Sequence, residues 1–312
     1  MLSFLLRRYR ILAILLVAAT VTACAPQTIN LTNGVAAIEP AASVPNFSHI
    51  FVIVLENRAY DQVIGNQQES YLNSLAHQYS LAEQYYGVAH PSLPNYIALI
   101  GGDTFGINSD CTDCFVNQSN LVDQIEASGR SWSSYQESMP HACFTGDAPP
   151  SYRQKHNPFI YFDNVRNNPA RCEKIVPFTQ FSKDLSANTL PNFVWITPNM
   201  CNDGHDCPAS TTDAWLRTVV PQITGSPAWR DNGVLFITFD ESEKADQNGC
   251  CQYAQGGRLA TLVISPLSKP GFSSPIGYDH YSLLRTIEAS WGLEPLNKAA
   301  CACTPTMADF FK

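Results

Sequence analysis

Two pairs of oxygen-bearing side chains, Glu56-Asn57 and Asp240-Glu241, follow directly on apolar runs, Phe51 to Leu55 and Gly233 to Phe239. Donors of this kind suit a hard divalent cation such as Ca2+, Mg2+ or Mn2+ better than a structural zinc. A serine hydroxyl reaching that ion would have its pKa lowered and become a nucleophile near neutral pH. Ser92 is the candidate. Pro94 near the start and Gly101-Gly102 past the end bracket a short helix, with Ser92 just before its N-terminus. There it would sit among free backbone N–H groups and the positive end of the helix dipole, which favour an alkoxide and a phosphate oxygen. The plainer reading makes Ser92 an N-cap, and a nucleophile can hold that position. His205 and His280 are placed to protonate a leaving oxygen or bind non-bridging oxygens, against a structural hydrogen bond for either. His90, two residues before Ser92, is an alternative base. Such a set supplies the positioning and charge that phosphoryl transfer needs.

These residues need a scaffold that brings distant positions together. The runs at 51–55, 192–197, 233–239 and 259–265 read as buried strands. Helical spacing covers 71–79, 121–128, 215–223 and 282–291. Strand, polar loop and helix repeat, which predicts an α/β fold with a mostly parallel sheet and helices on both faces. Right-handed crossovers then carry the strand ends to one rim, where ligands bind. Residues 130–137 read as a strand with an exposed edge, 103–120 as an insertion loop, and 138–172 as irregular. Within the last, Tyr152 to Phe159 sets Lys155 and His156 beside a turn, or forms a solvated loop.

The 312 residues, 45% hydrophobic, suffice for a large core. Arg7, Arg8 and Arg10, then the apolar run Ile11 to Val21, read as an export leader, too short to span comfortably as a helix. Val21-Thr22-Ala23-Cys24 resembles a bacterial lipobox with Cys24 lipidated, against ordinary signal cleavage. The expected organisation is a lipoprotein leader at 1–23, a lipidated N-terminus and flexible tether at 24–46, and a catalytic domain at 47–312. Losing three of 19 basic residues while all 27 acidic ones stay takes the formal charge from −8 to −11. That balance, without a Lys/Arg run, argues against nucleic acid and requires a local cation for phosphate chemistry. Setting Cys24 aside leaves ten of the 11 cysteines, an even number in an exported chain. Cys111/Cys114 and Cys201/Cys207 suit local bridges, and Cys143/Cys172 a longer loop. Cys250, Cys251, Cys301 and Cys303 are open to pairing within or between their clusters. A zinc–thiolate site is the rival use.

Six stretches in order carry a resemblance: VLENRAYDQVIG with Glu56-Asn57, HPSLPNY with Ser92, KHNPF from Lys155, NDGHD with Asp203, His205 and Asp206, TFDES with Asp240-Glu241, and YDHYSLLRTIE with Asp279-His280. Together they resemble the phosphoesterase family that groups AcpA-type acid phosphatases with phosphatidylcholine-type phospholipases C. The resemblance spans residues 49–292. It implies an alkaline phosphatase-like three-layer α/β/α sandwich and a phosphoserine on Ser92. It implies a divalent metal (Ca, Mg, Mn or Zn) held by Glu56, Asn57, Ser92, Asp240 and Glu241, with His205 and His280 as acid or phosphate-binding groups. Asn95, Lys155, His156, Asp203 and Asp206 are the implied substrate contacts. The long C-terminal modules of the larger phospholipases are not matched, so the expectation is a phosphate monoester, with a phospholipase C-type diester as the alternative. The expected setting is the bacterial envelope, outside the cytoplasm. An envelope lipoprotein that binds a phospho-ligand without turnover is the rival outside the enzyme class. A sulfatase is disfavoured, because Ser92 lacks the C-x-P-x-R or S-x-P-x-R context.

Overall fold

The structure is a computed structural model and describes residues 43–312. The expected leader, Cys24 and the expected tether as far as residue 42 lie outside the described residues.

Eight strands form one sheet: β1 His49–Leu55, β2 Ser80–Tyr86, β3 Trp132–Gln136, β4 Ile175–Pro177, β5 Phe193–Thr197, β6 Gly233–Phe239, β7 Arg258–Ile264 and β8 Phe272–Asp279. Their order is β4-β3-β5-β1-β6-β7-β2-β8. The β-branched and aromatic runs of β1, β5 and β6 form its centre, and every residue of β5 and β6 is buried. Burial on both faces demands cover on both, which helices provide. Ser92–Gly101 packs with His280–Trp291, and Ser70–Gln78 packs with Ala209–Thr224.

The sheet is mostly parallel, as expected, with one departure. β7 runs antiparallel to both β6 and β2. A parallel neighbour needs a crossover, usually a helix. The segment from Asp240 to Gly257 forms none and instead folds back at the rim. β3 is not an edge, since β5 and the three-residue β4 flank it. β2 and β8 carry no apolar run. β2 is interrupted by Glu83 and Gln84 at a register shift, and β8 is an edge strand that tolerates Pro275.

All ten cysteines from Cys111 onward are paired: Cys111–Cys114, Cys143–Cys172, Cys201–Cys207, Cys250–Cys251 and Cys301–Cys303. The four C-terminal ones pair within their clusters, and no thiolate among them remains for zinc.

One buried acid makes the fold pH-sensitive. Glu288, on helix His280–Trp291, accepts a hydrogen bond from Leu296 N at 2.9 Å, while its Oε2 has no partner among the described residues. Burial pushes its pKa from 4.5 up to about 8. A raised carboxyl pKa contributes stability fully below pH 4.5, and that contribution is lost as pH climbs through about 8. Glu288→Gln is therefore expected to melt higher than the parent at pH 8 and to show a flatter dependence between pH 4.5 and 8. Paired thermal melts across that window check this, and equal slopes would refute it.

Candidate active site

Three adjacent strands, β5, β1 and β6, end at the same rim. Backbone bonds lock the ends together: Asp240 N donates to Leu55 O at 2.9 Å, and Glu56 N donates to Asp203 O at 2.9 Å. Asn57 sits at φ 50°, a left-handed conformation that Asn tolerates better than most residues. There its N–H reaches Asp240 Oδ1 at 3.2 Å. The positions Glu56, Asn57, Asp240, Glu241 and Asp203 thus lie along one stretch of the rim.

Ser92 arrives from the other side of β7. β2 leads through residues 87–91 into helix Ser92–Gly101. A Cβ at Gly87 would lie 2.8 Å from Asp240 O and 2.9 Å from Gly256 O, so only glycine lets this turn approach the rim. Ser92 is the first residue of the helix rather than the one before it, and Pro91 holds the cap position. Ser92 is 1% exposed. Its Oγ stands 3.2 Å from Glu56 Oε2 and 3.1 Å from Glu241 Oε1, so its single hydrogen has two carboxylate acceptors. Lys155 Nζ lies 3.4 Å from the same Oγ.

The other expected residues divide into those that meet this centre and those that support it. His156 is buried. Its Nε2 lies 3.2 Å from Glu56 Oε1 and its Nδ1 3.4 Å from Asp203 Oδ2. Burial, with the Lys155 charge, holds its pKa well below the usual value, so it is neutral. It therefore faces carboxylates at the base of the site. His205 is exposed, and its Nδ1 is 2.7 Å from Asp206 Oδ1. Its backbone N–H donates to Asp203 Oδ1 at 2.8 Å.

Two of the expected residues have their polar atoms engaged by the protein itself. Asn95 spends its side chain on backbone: Oδ1 accepts from Val88 and Ala89, and Nδ2 donates to Ala89 and Pro91 carbonyls. It braces the turn before Ser92 and has no atom left for substrate. His280 is fully buried, with Nε2 on Asp240 O at 2.5 Å and Nδ1 against Tyr85 OH at 3.1 Å. Burial lowers its pKa to about 4, which favours the neutral ring where it supports Asp240. His90 is engaged in the same way. Nδ1 bonds Glu241 Oε2, and Nε2 donates to Asp246 O at 2.8 Å. The Glu241 bond raises its pKa, which favours the imidazolium.

Two further side chains, Tyr96 and Asp110, reach this centre. Tyr96 OH donates to Glu56 Oε1, and its ring stacks on His156 with centroids 5.3 Å apart. The signal was there, because a helix residue four past Ser92 shares its face. Asp110, in the 103–120 loop, bonds Lys155 Nζ at 3.0 Å and has no such periodic signal.

The electrostatics are those of a crowded anionic site. Burial raises the Glu56 pKa well above normal, and Asp240 and Asp203 push it further. Burial and Glu241 do the same to Asp240, and burial with Asp240 does so to Asp203. Lys155 is disfavoured by burial, but Glu56 and Asp110 outweigh this and raise its pKa. Asn57 Oδ1, Asp240 Oδ2 and Asp203 Oδ2 have no hydrogen-bond partner among the described residues. Buried acceptors are normally satisfied.

Comparison with known proteins gives this geometry a family. The model of the Phosphoesterase family matches residues 66–294. A probable acid phosphatase of Kluyveromyces lactis is 34% identical over 295 residues, covering 89% of this chain and 68% of its own length. A phosphatidylinositol-3-phosphatase of Mycobacterium tuberculosis is 30% identical over 277 residues, covering 87% and 85%. Among solved structures, an alkaline phosphatase superfamily protein from Vibrio parahaemolyticus superposes with a TM-score of 0.56 at 12% identity, over 84% of this chain and 72% of that one. That likeness shows the fold. The chain belongs to the Phosphoesterase family and is a hydrolase of phosphate esters.

Proposed function

We propose that this chain is a metal-dependent phosphomonoesterase of the bacterial envelope, working through a phosphoserine on Ser92 and anchored through Cys24. One observation carries the reading: Ser92 Oγ lies between two buried carboxylates at neighbouring strand ends, beside buried oxygens of Asn57 and Asp240 that lack partners. The anchor rests on the leader sequence alone. Among the described residues no helix is long and apolar enough to cross a membrane.

The donor set fits a hard divalent ion. Among the described residues no three His, Cys, Asp or Glu side chains already converge on a common point. The set proposed here, Glu56, Asp240 and Glu241 with the Asn57 amide and the Ser92 hydroxyl, would draw together around an ion. Its fit rests on the two partnerless oxygens and on the charge a cation would relieve. When bound, the ion lowers the pKa of the Ser92 hydroxyl and offsets the charge of the substrate phosphate.

The chain's own residues account for the rest. Ser92 gives its hydroxyl hydrogen to the Glu56 or Glu241 carboxylate as Oγ attacks phosphorus, the ester P–O bond breaks, and the alcohol departs. Lys155 binds a phosphate oxygen beside Ser92. Asp206 holds His205 Nδ1, which leaves Nε2 to pass a proton to the leaving oxygen. Tyr96 and His156 keep Glu56 oriented. Water then gives a proton to His205 and attacks phosphorus, the Oγ–P bond breaks, the carboxylate returns its hydrogen to Ser92, and inorganic phosphate leaves.

The test compares p-nitrophenyl phosphate with p-nitrophenylphosphorylcholine on purified full-length protein with divalent metal supplied. Turnover of the monoester at least tenfold faster is expected, since the diester lacks the second free anionic oxygen for Lys155. Turnover of the choline diester alone would replace this reading with the phospholipase C-type one.

A further inference from the structure

Asp110 stands where an anion belongs. Its Oδ1 accepts the backbone N–H of Leu93 at 3.0 Å, and its Oδ2 accepts from Lys155 Nζ at 3.0 Å. Both donors adjoin the Ser92 hydroxyl: Leu93 is the next residue, and Lys155 Nζ is 3.4 Å from Oγ. First-turn N–H groups have no carbonyl partner within their helix. Together with an ammonium they make a binding place for phosphate oxygens. In the free protein a carboxylate of this chain occupies that place.

The backbone that carries Asp110 is fixed to the segment that carries Lys155. Tyr161 OH donates to Cys111 O at 2.8 Å, and Gln154 Nε2 donates to Thr112 O at 2.8 Å. The Cys111–Cys114 disulfide closes the same turn. Placement of the carboxylate is therefore built into the fold. The Asp110 side chain itself is 29% exposed, against 16% for Lys155, so it can rotate toward water without unpacking the loop.

We propose that Asp110 sets the affinity of the site for phosphoryl groups by competing for the Leu93 N–H and the Lys155 ammonium. This rests on the reading of Ser92 as nucleophile. A substrate phosphoryl group displaces the carboxylate, and after hydrolysis the carboxylate returns and helps expel inorganic phosphate. Ground-state binding and product retention are both weakened. Asp110 is a positioning residue, acting on the donors and not on the reacting atoms.

The experiment measures kcat and KM for p-nitrophenyl phosphate, and Ki for inorganic phosphate, in the parent, Asp110→Asn and Asp110→Ser. Asp110→Asn keeps an acceptor for Leu93 N–H, and both variants remove the charge. KM and Ki are each expected to fall about tenfold, the scale of one charged hydrogen bond released from competition, while kcat does not rise. Two variants are used so that a folding defect in one leaves the other to read. An unchanged or raised Ki together with a lower kcat would overturn the proposal and make Asp110 a simple brace for Lys155. If the parent neither turns over the monoester nor is inhibited by phosphate, the underlying reading of the site fails instead. An active parent with an unmoved variant Ki sinks only the Asp110 inference.

Discussion

Ser92→Ala is expected to lower turnover of p-nitrophenyl phosphate by on the order of 10^4-fold while phosphate binding stays within a few-fold of the parent. The size follows from what is removed. The hydroxyl lies between Glu56 and Glu241 at 3.2 and 3.1 Å, and both carboxylates can take its hydrogen. Lys155 and the first helical turn are untouched, the ion would keep Glu56, Asn57, Asp240 and Glu241, and alanine keeps the helix start intact. Steady-state kinetics and calorimetric titration with inorganic phosphate check the two halves separately. Acid quenching of the parent during turnover should also trap phosphate covalently on protein, and the variant should trap none. A variant retaining a tenth of parental activity would remove Ser92 as nucleophile. A parent without turnover but with tight phosphate binding would make the protein a binder.

The second large effect concerns metal. Chelation should cut activity at least about 100-fold and lower the melting midpoint, with both restored by a divalent ion. The cause is the burial together of Glu56, Asp240 and Asp203, whose pKa values burial and mutual repulsion raise. Asp240→Asn separates two consequences. It removes one of the repelling charges, so the chelated variant should melt higher than the chelated parent. It also removes a donor, so adding metal should no longer shift its midpoint or restore activity. Full activity of the chelated parent would end the metal mechanism. A chelated variant that melts lower than the chelated parent would show that the carboxylates are not mutually destabilising.

These two experiments probe the part of the protein that its sequence made easiest to see. A parallel strand covered on both faces must be apolar along its whole length, so β1, β5 and β6 stand out as runs. The polar residues that break those runs must lie at the rim, because a buried strand cannot hold them elsewhere. Glu56, Asn57, Asp240 and Glu241 were legible for that reason, and Ser92 because Pro94 and two glycines mark its helix. The even count of ten cysteines likewise anticipated bridges, though not all of their partners.

Legibility ended where a residue's role depends on what a distant segment does. The imidazole of His280 and the amide of Asn95 look like those of any ligand in the linear chain. Only packing shows that Asp240 O, Tyr85 and the 88–91 backbone have already taken their polar atoms. β7 has the composition of a parallel strand, but the missing crossover helix reverses it. β2 and β8 are strands through their neighbours, one bulged and one at the edge, with no apolar run of their own. Asp110 is the sharpest case. From its own sequence, local composition and periodicity set the strands, the nucleophile helix and the rim of this protein. Tertiary structure alone decided which donors face which acceptors, because a hydrogen bond or ion pair forms over about 3 Å whatever the separation along the chain.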